Sequence, residues 1–131
     1  MSDPRLTFKE MCAKFDVTPR TLRYYEYIEL LSPMREGRSR FYGPRDTARM
    51  TLILRGRRFG FSLEEIRQWL DMYEDEGTAP QFQKFVDRAN RQLAALADQR
   101  ADLDTTIDDL QKLRDDVAEM LDSAMTGGKV T

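Results

Sequence analysis

The sequence predicts a mainly α-helical protein: a winged helix-turn-helix domain with a small β-hairpin wing, followed by one long helix that pairs with another helix. Three observations predict it. Short helical segments open on strong N-cap signatures at Thr7, Thr18 and Ser62. An arginine-rich alternating stretch, 34–42, lies between them. From Phe82 onward a single apolar stripe steps by four and three along the chain.

Thr7-Phe8-Lys9-Glu10 is a capping box, with Thr7 as cap and Glu10 three residues on. It opens a short helix whose apolar residues Phe8, Met11, Cys12 and Phe15 follow helical spacing. Asp16-Val17 makes the turn. Thr18 caps the second helix and Pro19 fits its first position, where a missing N–H costs nothing. This helix is expected to run to about Glu29, with Leu22, Tyr25 and Ile28 inward. Two short helices joined by a tight turn make a helix-turn-helix unit. Arg20, Arg23 and Tyr24 then fall within about one turn of each other, the set of side chains that meets phosphates and base edges in a DNA major groove.

Ser32-Pro33 breaks the helical pattern, and 34–42 reads as a hairpin turning near Glu36-Gly37. Arg38 and Arg40 alternate with Ser39 and Phe41, so both arginines are expected to share a face, with Phe41 toward the core. Gly43-Pro44 starts a third helix that Gly60 ends, with Met50, Ile53 and Leu54 as its stripe. Ser62-Leu63-Glu64-Glu65 is another capping box, opening a fourth helix through Ile66, Trp69, Leu70 and Tyr73. The acidic segment Glu74 to Pro80 marks a boundary. The expected organisation is a DNA-binding domain over 1–74, a linker over 75–81, a coiled-coil helix over 82–124 and a flexible tail over 125–131.

The stripe of the long helix is Phe82, Val86, Ala89, Leu93, Leu96, Arg100, Leu103, Ile107, Leu110, Arg114, Val117, Leu121 and Ala124, and eleven of these thirteen positions are apolar. A helix of that length spans roughly 60 Å at ~1.5 Å per residue. A domain this small cannot cover it, so a partner helix is needed, and a homodimer is the simplest source. Phe82, Val86, Leu93, Leu96, Leu103, Ile107, Leu110, Val117 and Leu121 are the expected dimer contacts. Arg100 and Arg114 interrupt the stripe: they either pair with aspartates across the dimer and set its register, or snorkel to its edge.

Charge sharpens the functional reading. The net charge of −2 hides a split: residues 1–70 hold 14 Lys+Arg against 9 Asp+Glu, and residues 71–131 hold 7 against 14. Eight arginines fall within 35–58, against only Glu36 and Asp46. A basic half with an arginine-bearing helix and hairpin points to nucleic acid. Cys12 is the sole cysteine and histidine is absent, which removes intramolecular disulfides, the commonest zinc ligand and the commonest general base. With no glycine-rich phosphate loop and no nucleophile beside a base, no catalytic residue, cofactor or metal is expected, and the protein is not read as an enzyme. No window approaches ~18 consecutive apolar residues, so no membrane association is expected. The polar start Met-Ser-Asp-Pro-Arg points to a cytoplasmic protein.

In order, the chain carries Arg20-Thr21-Leu22-Arg23-Tyr24-Tyr25-Glu26, a wing ending in Arg40-Phe41-Tyr42, a helix pair with Gly60-Phe61-Ser62-Leu63-Glu64-Glu65-Ile66, and a long heptad helix. This resembles the MerR family of bacterial transcriptional regulators over nearly the whole chain. The segment Leu52 to Leu63, with Asp71-Met72-Tyr73 after it, looks most like the LiuR-type subgroup, associated with branched-chain amino-acid and fatty-acid catabolism genes. The resemblance implies an antiparallel coiled-coil homodimer at the bacterial nucleoid, each winged domain on one half-site of a palindromic promoter element. It implies an over-long promoter spacer, bent and untwisted so that RNA polymerase reads both boxes. By position it assigns DNA contacts to Arg20, Arg23 and Tyr24 on the recognition helix, to Arg35, Arg40 and Tyr42 on the wing, and to Arg57 on a helix end; Thr18 and Arg38 join them from the residue reading.

The chain departs from the family's sensing members. It lacks cysteines at the start and beyond the end of the dimer helix, so metal, iron–sulfur and thiol sensing are not expected, and a drug-sensing C-terminal domain is not expected either. A small-molecule effector of unknown identity remains open. The wing is about one residue short, with Ser39 where many members place an aromatic. Arg38 and Arg40 also fit a solvated hairpin, and Arg45, Arg49 and Arg55 fit an ordinary charged helix face equally well. Cys12 reads as an inert thiol, and Trp69 and Tyr73 as core rather than an effector pocket. The competing function is a coiled-coil interaction adaptor whose basic domain is only a docking surface.

Overall fold

The computed structural model describes residues 5–127. In chain order the elements are β1 (Leu6–Thr7), α1 (Phe8–Phe15), α2 (Pro19–Tyr27), β2 (Met34–Glu36), β3 (Ser39–Tyr42), α3 (Pro44–Phe59), α4 (Leu63–Glu74) and α5 (Ala79–Gly127). The fold is mainly helical, with one small antiparallel sheet ordered β1-β3-β2. The chain divides into two compact units, one through Phe85 and one from Val86.

The helix starts follow local chemistry. Thr7 accepts from the Glu10 N–H at 3.2 Å while Glu10 accepts from the Thr7 N–H at 2.9 Å, and Ser62 and Glu65 repeat the exchange for α4. Thr18 accepts from the Thr21 N–H at 3.1 Å and Pro19 follows it into α2. Asp16, at φ 51°, reverses the chain after α1. Asp tolerates this left-handed conformation better than most residues.

The end of α2 comes two residues earlier than the periodicity predicts. Leu30 N–H bonds Tyr25 C=O at 2.9 Å and Glu29 N–H bonds Glu26 C=O at 3.0 Å. This is a Schellman closure, and it places Glu29 at φ 64° where glycine is the usual occupant. Three side chains from later in the chain hold the segment after it. The Arg67 guanidinium donates to the Ile28 carbonyl. Arg49 Nε donates to Leu30 C=O at 2.7 Å, and Asp46 Oδ1 accepts from Ser32 N–H at 3.1 Å.

The predicted hairpin is present as β2 and β3, but it belongs to a three-stranded sheet. Leu6 and Thr7 pair with Tyr42 and Phe41 on its other edge. A two-residue strand that also carries a helix cap has no period-2 signature of its own. The pairing corrects the expected orientation of the wing. Tyr42, not Phe41, enters the core, and Phe41 is half-buried with the Arg5 guanidinium 4.7 Å from its ring centroid.

Met11, Leu22, Tyr25, Leu30, Leu31, Tyr42, Met50, Ile53, Phe61, Ile66 and Leu70 form one buried cluster. Helices α3 and α4 approach closely at Gly56, where a Cβ would lie 2.6 Å from Ile66 Cγ1. Trp69 is buried and stacks on Phe85 at 6.0 Å between centroids, as the core reading expects; its neighbour Tyr73 is largely exposed.

In the second unit α5 continues unbroken from Val86 to Gly127, so 125–127 are helical, while 128–131 lie outside the described residues. No residue of α5 is buried. No helix among the described residues is long and apolar enough to cross a membrane.

Candidate nucleic-acid interface

Helix α2 presents one continuous exposed face. Arg20, Arg23, Tyr24 and Tyr27 stand at i, i+3, i+4 and i+7, the spacing that aligns side chains on a helix. Tyr24 is 49% exposed and Tyr27 83%. The two rings share this helix face with Arg20 and Arg23. The opposite face of α2, Leu22 and Tyr25, is in the core.

A shallow groove of about 600 Å³ runs along this face, lined by Arg20, Arg23, Tyr24 and Tyr27 together with Arg57 and Leu63. The fold therefore brings Arg57, in the last turn of α3, beside the expected recognition helix. Sequence reasoning missed Tyr27, although its spacing from Arg20 and Tyr24 was the available signal. Thr18 is exposed, but its hydroxyl is engaged: it caps α2 and donates to Thr21 Oγ1 at 2.9 Å.

On the wing, Arg35 and Arg38 are exposed, Arg35 in β2 opposite Arg40 and Arg38 in the turn. Arg40 is half-buried, with Nε 3.6 Å from Glu26 Oε1 and its guanidinium 5.6 Å from the Phe8 ring centroid. Arg23 of α2 lies over the same ring at 5.5 Å. Glu26 and Phe8 had no local signal in the sequence, because their partners come from other elements.

Tyr42 is a correction. It was expected at the DNA surface, yet it is 0% exposed, and its hydroxyl donates to Glu26 Oε1 at 2.7 Å. Burial, then the hydrogen bond to the Glu26 carboxylate, pushes its phenol far above the ordinary tyrosine range. Tyr42 lies on the face of β3 that packs against α1 and α3, so its side chain points inward and cannot reach the DNA surface.

Two further arginines are committed to the fold. Arg49 is buried and reaches Glu74 Oε1 at 2.7 Å, and Arg45 reaches Glu74 Oε2 at 2.6 Å. Partial burial alone would raise the Glu74 carboxyl, but the hydrogen bonds from Arg49 and Arg45 outweigh it and hold the group below the usual range. Arg55 stays exposed, 6.0 Å over Phe59. Burial pushes the Cys12 thiol up despite nearby Arg23, so little reactive thiolate forms at neutral pH. Among the described residues no cluster of His, Cys, Asp or Glu could hold a metal ion.

The nine apolar residues expected at a dimer seam, from Phe82 to Leu121, are between 38% and 64% exposed. Leu113, Met120 and Met125 widen the exposed apolar surface toward the end of α5, which the strict four-three step overlooked.

Comparison with known proteins places this geometry. The family model described as "MerR HTH family regulatory protein" matches residues 6–73, and "MerR, DNA binding" matches 47–120. An HTH-type transcriptional regulator of Pseudomonas aeruginosa is 34% identical over 116 residues, covering 86% of this chain and 80% of its own. A MerR-family transcriptional regulator from Bacillus cereus superposes with a TM-score of 0.65 at 25% identity, covering 82% of this chain and 78% of its own. HiNmlR, a MerR family regulator lacking the sensor domain and solved bound to promoter DNA, shares the fold with a TM-score of 0.60 at 20% identity, covering 76% and 79%. These relatives are transcription regulators and not enzymes, and the chain belongs to the MerR family of DNA-binding transcriptional regulators.

Proposed function

We propose that the protein works as an antiparallel homodimer that places two winged domains on a palindromic promoter element and bends and untwists the DNA between them. The observation that carries this reading is the single exposed face of Arg20, Arg23, Tyr24 and Tyr27 with Arg57 at its side, in a unit followed by an uncovered apolar helix. Arg20, Arg23 and Tyr24 enter the major groove, Arg35, Arg38 and Arg40 follow the backbone from the wing, and Arg57 holds a phosphate. Thr18 serves at the helix start, where backbone N–H groups face an anion.

Charge supports the antiparallel arrangement. Residues 82–103 hold Lys84, Arg88, Arg91 and Arg100 against three aspartates, whereas 104–127 hold Lys112 and Arg114 against seven acids. An antiparallel pair sets the less acidic half of one helix against the acidic half of its partner. A parallel pair would oppose the two acidic halves. The domain organisation that goes with this is a DNA-binding domain over 1–74, a linker over 75–81 whose last three residues already form the first turn of α5, and the dimer helix from 82 on.

The regulated genes, in this reading, belong to branched-chain amino-acid or fatty-acid catabolism. The support is the LiuR-like run from Leu52 to Leu63. RNA polymerase at the distorted promoter is the functional partner, and the protein acts in the cytoplasm at the nucleoid. Footprinting on its own promoter region tests the proposal: a two-fold symmetric footprint with enhanced cleavage at its centre is expected, with binding that weakens steeply as salt rises. A monomer in sedimentation equilibrium, or salt-insensitive binding, refutes it.

A further inference from the structure

Two arginines from different elements share one aromatic ring. The guanidinium of Arg23, on α2, lies 5.5 Å from the centroid of Phe8, and that of Arg40, on β3, lies 5.6 Å from it. Both distances are within the reach of a cation–π contact. Phe8 is the first residue of α1 and is half-buried against the core. Its backbone is fixed on one side by the Thr7–Glu10 capping box and on the other by the pairing of Leu6 and Thr7 with Tyr42 and Phe41. Glu26 completes the group: its carboxylate accepts from Tyr42 and lies 3.6 Å from Arg40 Nε, so a counter-charge steadies the wing arginine on the edge that faces the protein.

We propose that Phe8 is a positioning platform that holds Arg23 of the recognition helix and Arg40 of the wing in their DNA-competent rotamers, so that helix and wing engage the duplex as one unit. The inference rests on the reading that Arg23 and Arg40 contact DNA. The physical cause is entropy. Arginine has the largest class of rotamer freedom to lose, and a side chain already ordered before binding loses less of it at the interface. The ring also suits the task because it steadies a cation without adding a counter-charge of its own; the carboxylate beside the pair, Glu26, lies on the Nε side of Arg40.

The test uses the full-length protein and a duplex carrying its own operator. Phe8→Leu keeps apolar bulk but removes the ring, and Phe8→Tyr keeps the ring. Phe8→Leu is expected to weaken operator binding about tenfold, the product of two exposed cation–π contacts, and Phe8→Tyr to stay within about twofold of the parent. The slope of log affinity against log salt should be unchanged in Phe8→Leu, because both arginines keep their charge and still reach the DNA. In an Arg23→Ala/Arg40→Ala background, Phe8→Leu should cause no further loss. Replacing Phe8 by 3,4,5-trifluorophenylalanine, which has nearly the same shape and a weakened ring quadrupole, serves where Phe8→Leu unfolds; a several-fold loss at unchanged melting temperature is expected. Full binding by the leucine or trifluoro variant, or a Phe8→Leu loss that persists without the two arginines, overturns the platform. Should Arg23→Ala and Arg40→Ala themselves bind normally, it is the DNA-contact reading that fails.

Discussion

The phenol of Tyr42 donates a 2.7 Å hydrogen bond to Oε1 of Glu26, tying the central strand of the wing to the helix that carries Arg23 and Tyr24. The two residues are 16 apart in the chain and belong to different elements. The bond makes the relation of the hairpin to α2 a property of the core rather than of a flexible hairpin. The buried Glu26 carboxylate depends on this hydroxyl and on Arg40 for compensation.

Tyr42→Phe leaves that carboxylate short of a donor, and a loss of about 1–3 kcal/mol is expected in urea unfolding. The bond also predicts a pH dependence. The folded phenol is raised above its ordinary value of 10, so its contribution is complete below pH 10 and is lost as pH rises beyond it, where the unfolded chain ionises first. Stability of the parent should fall on the alkaline side of pH 10, and Tyr42→Phe should flatten that limb. An unchanged alkaline slope in the variant contradicts the assignment.

Glu29 sits at φ 64° in the closure of α2 and its side chain is exposed. The left-handed conformation costs an L-residue about 1–2 kcal/mol, part of which glycine's greater unfolded freedom offsets. Glu29→Gly should therefore stabilise the protein by about 0.5–1 kcal/mol, read as a higher melting temperature. A lower one would show that the carboxylate makes an interaction of its own.

Gly56→Ala should have the opposite sign. Alanine is favoured over glycine inside a helix by about 1 kcal/mol. The new Cβ, however, would stand 2.6 Å from Ile66 Cγ1 and 2.9 Å from its Cδ1. Overpacking of a tight contact typically costs about 1–3 kcal/mol, so a net destabilisation is expected. Combining it with Ile66→Ala should give less than the sum of the two effects, because the clash is then gone.

Arg57 and Tyr27 line the same groove but differ in charge, and salt separates their roles. Arg57→Ala should weaken binding to all sequences alike and lower the salt slope by about one. Tyr27→Ala should weaken binding several-fold with no change in slope, since a neutral side chain displaces no counterion. Arg23→Ala should cost the most on the operator relative to random DNA. Equal slopes for the Arg57 variant and the parent would remove Arg57 from the backbone contacts.

Much of the architecture was legible because its signals are local. The capping boxes at Thr7 and Ser62, Thr18-Pro19 before α2, and Gly60 after α3 each act within about one turn, so the residues that define the helix ends are neighbours in the chain. The exposed face of α2 was readable for the same reason. β1 escaped notice because two residues carry no period, and the fate of Phe41 and Tyr42 was inverted because the packing of the sheet on α1 and α3 decides which face of β3 is covered.

By itself the sequence determined the mainly helical fold, the helix starts, the uncovered stripe of α5 and the basic character of the first half. Only the tertiary structure decided which arginines are available. In the sequence Arg45 and Arg49 fitted a DNA contact and an ordinary charged helix face equally well, and Glu74 pairs with both from more than 20 residues away, while Arg67 is spent on the carbonyl of Ile28. Charge and helical spacing are written locally, whereas the partner that engages or frees a guanidinium is chosen by packing between distant segments.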